Sequence, residues 1–379
     1  MDNITHTLAG VVMARAGLGR SSRLATTALV VGANLPDIDL LWSLGDEVRY
    51  LDYHRGWTHS FFGTLVCSVI LWVALLVFSR LAPARGSPGT LHRLRLLGVV
   101  AIGVGSHFLM DTTNAYGVRP FLPWDDHWVY GDLWVIIDPW LWLLLGASIF
   151  LSGRGGWVRS GLWLLGAVGV AALMLSTLLV PRGAFWGWLL GAGLIMAAWL
   201  RGVGAGQASR LSRTALALVI LYAVGCSVLG GIARARFARL VEAELPVLLE
   251  TDRAVLPRPA DPLRWDGIVE EPSVVHHRTV GLVAALDPPG SGFASHRRQH
   301  ADPRVAAVLE SCTGQTLLRF FRFPVGVVEN DETARPVVVL RDARFSRDRR
   351  RTGFGVFSVP VAPDGSPELD GLACPPSDP

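Results

Sequence analysis

Apolar residues in this chain come in long blocks separated by short polar connectors. Runs at 63–79, 96–112, 138–152, 160–180, 184–200 and 214–233 each approach the ~20 residues that a membrane-spanning helix needs. Two weaker stretches, 4–18 and 24–42, precede them and are short or interrupted. The pattern predicts a mainly α fold, a multi-pass transmembrane bundle of about six to eight helices. After Ala233 the blocks stop. Arg234, Arg236, Arg239, Glu242 and Glu244 continue a helix out of the last apolar run. Short runs then follow at Val274-Val275, Leu317 to Phe323, Val325 to Val328, Pro336 to Leu340 and Phe354 to Val361, which read as strands between turn residues. The expected organisation is a membrane-embedded core at 1–140, further transmembrane helices at 141–233, a soluble α+β or β-rich domain at 234–362, and a disordered tail at 363–379 rich in proline, glycine and acid.

Composition changes this picture in few places. Half of the residues are apolar (51%), as the membrane reading requires, and the N-terminus lacks the basic region of a signal peptide, so it is expected to be retained. The sequence contains no lysine, so its net charge of +4 rests on arginines spread along the chain, and no nucleic-acid partner is expected. If the apolar segments alternate in direction, Arg15, Arg20, Arg23, Arg80, Arg85, Arg93, Arg95, Arg154, Arg159, Arg201, Arg210 and Arg213 share one side, which the positive-inside rule makes cytoplasmic. Arg234, Arg236 and Arg239 run against that rule. Four cysteines show no CxxC spacing; a Cys312 to Cys374 disulfide requires an oxidising compartment.

The chemistry lies at the segment ends. Asn34-Leu-Pro36-Asp37-Ile-Asp39 closes the second stretch, with Pro36 stopping the helix and two carboxylates free to turn to one centre. His54-Arg55-Gly56-Trp57-Thr58-His59 opens the third, where Thr58 is a candidate N-cap and Arg55 a candidate anion clamp. His107 and Asp111 stand at i and i+4, one helical face, inside an apolar segment where ionisable groups are costly. His6 opens the first stretch, and Asp138-Pro139 reads first as a helix cap. The alternation built from arginines places every one of these residues on the non-cytoplasmic side. The aromatic and acidic connector from Thr112 to Trp134 lies there too, as a candidate interfacial lid. Imidazoles and carboxylates in such number exceed what one tetrahedral zinc requires, and mixed N/O ligands suit zinc, manganese or iron. Asp39 is the first candidate proton acceptor.

These motifs, with Met1-Asp-Asn-Ile-Thr-His6, resemble in order those of the YdjM-like (LexA-regulated) bacterial inner-membrane proteins, which are described as membrane-bound metal-dependent hydrolases. The resemblance covers about residues 1–140. It implies a metal site at His6, Asp37, Asp39, His54, His59, His107 and Asp111, and an inner-membrane location, without specifying a substrate. The expectation is therefore an integral membrane hydrolase. His6, Asp37, His54, His59, His107 and Asp111 would hold a divalent metal, zinc first, while Asp39 and Arg55 serve catalysis on a lipid-borne ester or phosphoester. The competing expectation is a non-enzymatic membrane protein stapled by a structural metal or a hydrogen-bonded polar cluster. The histidines of the C-terminal region, His276, His277, His296 and His300, are expected to decorate a surface.

Overall fold

The computed structural model describes residues 1–379 apart from 44, 82–91, 154–155, 178, 246–251, 289, 291, 332, 347–352, 363 and 369–379. The chain separates into two compact units: Met1–Asp39 with Arg55–Leu229 and Pro257–Pro262, and Leu40–His54 with Gly230–Leu256 and Leu263–Pro379.

In chain order the helices of the first two hundred and more residues are α1 (Asn3–Ala16), α2 (Ala25–Gly32), α3 (Glu47–Tyr53), α4 (Phe61–Leu81), α5 (Arg93–Thr112), α6 (Pro139–Leu151), α7 (Trp157–Ser176), α8 (Arg182–Leu200) and α9 (Ala208–Glu244). All but α3, and α9 only as far as Leu229, belong to the first unit. Five of them, α4, α5, α7, α8 and α9, are long and apolar enough to cross a membrane; α6 is apolar but shorter. At 14 and 8 residues, α1 and α2 rise only about 21 and 12 Å, short of the ~30 Å hydrocarbon core. The two weak stretches of the sequence are thus not spans.

They are packed inside the unit instead. Helix α1 lies against α2 and α6, and α2 against α4 and α5. Glycines let these backbones approach closely: a Cβ at Gly10 would stand 2.9 Å from the Leu29 carbonyl oxygen, and one at Gly103 3.0 Å from that of Ala28. Ala25, Ala28, Leu29, Leu96, Val100 and Val104 are fully buried at this junction. Large apolar residues on the longer helices, such as Leu65, Ile70, Leu165 and Val168, face outward, as lipid-facing positions should.

The second unit holds two antiparallel sheets. β1 (Arg253–Arg258), β2 (Asp261–Glu271), β3 (Val274–Gly281) and β4 (Ala294–Arg297) pair in sequence order. After α10 (Pro303–Glu310) and α11 (Cys312–Phe320), β5 (Pro324–Asn330), β6 (Pro336–Asp342) and β7 (Val356–Pro360) form the other sheet, again in order. The expected strand at Leu317 to Phe323 is not formed. Leu317 to Phe320 are the end of α11, whose buried Thr313, Thr316, Leu317 and Phe320 recur at helical spacing, Phe321 to Phe323 follow it, and the apolar run fits both periods. Helix α3 packs on α11, with Asp52 and Arg319 3.5 Å apart. The sequence expected a tail from 363; its first described residues form a turn in which Ala362 N–H donates to the Ser366 carbonyl. Cys374 and the rest of that tail lie outside the described residues.

Candidate metal centre

Three chain segments of the first unit converge on one buried point. Helix α2 ends at Gly32, and a 3-10 turn beginning at Leu35 carries Asp37 and Asp39 inward. A second 3-10 turn, Trp57–His59, presents His59 just before α4. Its approach to α4 is tight, because a Cβ at Gly63 would overlap the Trp57 carbonyl oxygen at 1.8 Å. The α4 start is held by Ser60, whose Oγ accepts from Gly63 N–H at 2.9 Å, while Thr58, expected to cap, donates instead to Asp39 Oδ2 at 2.9 Å. Helix α5 supplies His107 and Asp111 one turn apart, both fully buried.

The facing donor atoms have metal-like separations. His59 Nε2 is 2.9 Å from His107 Nε2, 3.4 Å from Asp37 Oδ1 and 3.3 Å from Asp111 Oδ2. His107 Nε2 is 3.4 Å from Asp37 Oδ1 and 3.6 Å from Asp111 Oδ2. A regular tetrahedron with metal–ligand distances of about 2.0–2.1 Å has edges of about 3.3–3.4 Å. These four side chains therefore form a group able to hold a metal ion.

The outer contacts support the same arrangement. His107 Nδ1 lies 2.8 Å from the Ala33 carbonyl oxygen, which can only accept, so Nδ1 carries a proton and the ring is oriented with Nε2 toward the centre. His59 Nδ1 lies 3.2 Å from Asp39 Oδ2. Burial opposes a charge on His59, but hydrogen bonds to Asp111, Asp37 and Asp39 outweigh it and push the metal-free imidazole up to about 10. Asp37 Oδ2 accepts from Asn3 Nδ2 at 2.8 Å.

Each remaining sequence candidate has a definite place. His6 is fully buried, stacks on His107 with ring centroids 3.8 Å apart, and brings Nε2 to 3.3 Å from Asp111 Oδ1. Neither of its ring nitrogens, nor Asp111 Oδ2, makes a hydrogen bond of good geometry among the described residues. Orphaned buried polar atoms around one point are what a bound cation would satisfy. Arg55 is 2% exposed, with Nε 3.1 Å from Asp111 Oδ2, Nη1 donating to Asn114 Oδ1 at 2.7 Å, and its guanidinium 4.4 Å from the Tyr116 ring centroid. Its backbone sits at φ 61°, a left-handed conformation unusual for arginine, held by its N–H donating to Asp39 Oδ2 at 3.0 Å. The α-amino group of Met1 donates to Asp111 Oδ1. Asp138 caps α6, accepting from Trp140 N–H and the Tyr222 hydroxyl. His54 follows α3 in the second unit, buried and stacked on Tyr50.

Sequence reasoning did not single out Asn3 as a partner of Asp37, nor Asn114 and Tyr116 as partners of Arg55. The last two sit in the Thr112 to Trp134 connector, where only aromatic and acidic content stood out. An Asn directly after the first Asp, three residues before His6, carries no signal until the turn carrying Asp37 is in place.

A helical membrane protein with a buried His/Asp cluster able to hold a metal is thus the class that fold and site define. Comparison with known families then adds a likeness: residues 1–185, just under half of the chain, match the family described as YdjM inner membrane protein. A Bacillus subtilis (strain 168) protein, uncharacterized protein YfhP, is 28% identical over 164 residues. That stretch covers 41% of this chain and 47% of YfhP, so the chain spans about half the length of this curated relative. No solved structure matches.

Proposed function

We propose that this chain is an integral membrane metal-dependent hydrolase acting on a lipid-borne ester or phosphoester from the non-cytoplasmic face of the bacterial inner membrane. One observation carries the reading: Asp37, His59, His107 and Asp111 bring four donor atoms within reach of one metal ion, among helices long and apolar enough to cross a membrane. Two imidazole nitrogens and two carboxylate oxygens favour zinc, with manganese or iron as alternatives. A divalent ion in this cluster would supply Lewis acidity and acidify water near neutral pH.

The chain's own groups have separate tasks in this reading. Asp39 sets the orientation of His59 and, with its carboxylate also reaching Thr58 and the Arg55 backbone, is the candidate proton acceptor. Arg55 holds Asp111 in place and keeps a positive charge beside the cluster, where an anionic ester oxygen would be met. His6 fills the side of the centre behind His107.

A specific observation favours a second reading. The four donors are as many as a structural zinc takes and are all nearly or fully buried, whereas catalytic zinc sites keep one position open. In that reading the ion staples the segment after α2, the turn before α4 and α5. Elemental analysis of detergent-purified wild type beside His59→Ala and Asp111→Ala, with hydrolysis of lipid esters measured on the same preparations, separates the two. Bound metal with turnover that both variants lose while still folded supports the hydrolase. Bound metal without turnover, and variants that melt earlier, supports the staple, and a well-folded metal-free wild type overturns both.

A further inference from the structure

Between α1, α6, α7 and α8 of the first unit runs an apolar groove of about 410 Å³, a volume in the range of small-ligand sites. It begins at Ile4 and Trp142 and follows α7 from Leu173 back to Trp163 and Leu162. That stretch of α7 is about 16 Å long at about 1.5 Å per residue. One leaflet of a bilayer with a ~30 Å hydrocarbon core is about as deep.

The wall is almost entirely carbon. Three indoles line the groove, and each turns its N–H away into the protein. Trp142 Nε1 donates to Thr5 Oγ1 at 2.9 Å, Trp163 Nε1 to the Ala192 carbonyl at 3.3 Å, and Trp188 Nε1 to the Pro139 carbonyl at 2.9 Å. The floor is open because of two glycines of α7: a Cβ at Gly166 or Gly169 would meet nothing within 4 Å. One end lies beside the first turn of α1, which also carries Asn3 and His6. Ile4 lies between Asn3, which donates to Asp37, and Thr5, which precedes His6. At the other end Trp163 stacks on Phe150, near the C-terminal end of α6.

We propose that this groove holds one acyl chain of a membrane phospholipid, with the head group at the Ile4 end. Depth, lining and the helices that form it fit a lipid tail rather than a polar ligand, and α7 is itself a helix of membrane-crossing length. The placement of the head group rests on the hydrolase reading; the acyl-chain site does not. A lipid entering sideways would then carry its ester region to the turn that bears Asn3 and His6, which makes a glycerophospholipid the substrate class.

The test uses the full chain in phosphatidylglycerol vesicles containing a small fraction of phosphatidylglycerol with a photoactivatable diazirine midway along one chain. Cross-linked peptides are mapped by mass spectrometry, and metal is measured on the same samples. The expected result is labelling concentrated on α7 around Gly166 and Gly169. It should be lost in a Gly166→Leu, Gly169→Leu double variant that retains its metal, since both side chains enter open space and leucine is the better helix former. Even labelling over all outward faces of α4, α7, α8 and α9, the same in the variant, overturns the proposal. So does α7 cross-linked to α7 of a second copy, which would make the groove a helix-packing seam. Groove labelling in a metal-free protein keeps the acyl site and removes the hydrolase reading; metal and turnover without groove labelling do the reverse.

Discussion

Arg55 occupies a backbone conformation that most side chains avoid, and it does so beside the cluster. Replacing it separates backbone from side chain. Both Arg55→Gly and Arg55→Ala remove the guanidinium from Asp111, but only glycine relaxes φ, so the glycine variant should be more stable by about 1 kcal/mol in a detergent thermal melt. Asp39→Asn keeps the shape while weakening the orientation of His59, and metal affinity measured by chelator competition should fall about 10–100-fold. His59 adds a pH dependence of known sign. Its metal-free form holds a proton up to about 10, and ligation requires that proton to leave, so affinity should climb as pH rises from 6 to 9, by at most about tenfold per unit for one proton. A pH-independent affinity would mean that His59 is not a ligand. Much of this cluster was legible in the sequence, because ionisable residues such as His107 and Asp111 stand out where everything else is apolar. What was not legible is the division of labour: that Thr58 serves Asp39 instead of capping α4, or that the Ala33 carbonyl fixes His107, depends on which segments meet, and spacing along the chain does not encode it.

At the scale of elements, the site depends on close backbone approaches more than on the helices themselves. Gly63 is the tightest: any side chain there drives into the Trp57 carbonyl, and the Trp57–His59 turn must move. Gly63→Ala should therefore cost metal binding outright, seen as loss of bound metal in elemental analysis, whereas Gly166→Ala on α7 should leave it unchanged. Gly103→Ala, where the α2 backbone is the obstacle, should destabilise by about 1–3 kcal/mol. The long apolar helices were readable because their runs match the membrane thickness. The short α1 and α2 were readable only as apolar stretches, since hydropathy does not say whether such a stretch spans or is enclosed. The end of α11 was misread because Leu317, Phe320, Phe321 and Phe323 satisfy a strand's clustering as well as a helix's period.

For the whole molecule, a bound ion should appear as added stability: at about 100 times its dissociation constant it contributes about 2.7 kcal/mol, so stripping with chelator should lower the melting temperature and restoring zinc should recover it. The side of the membrane is open to direct measurement. A cysteine placed at Trp124, which is 77% exposed in the connector after α5, should react with an impermeant maleimide added to intact spheroplasts; reaction only in inverted vesicles would put the cluster in the cytoplasm. The enclosure of α1 and α2 also has a consequence for biosynthesis. Neither can span a bilayer alone, and their burial partners on α4, α5 and α6 emerge from the ribosome later. His6 and Asp37 are thus synthesised well before the helix that brings His107 to meet them. The centre cannot close until α5 has been made, so newly inserted protein passes through a stage in which the polar N-terminal segments have no finished site to enter.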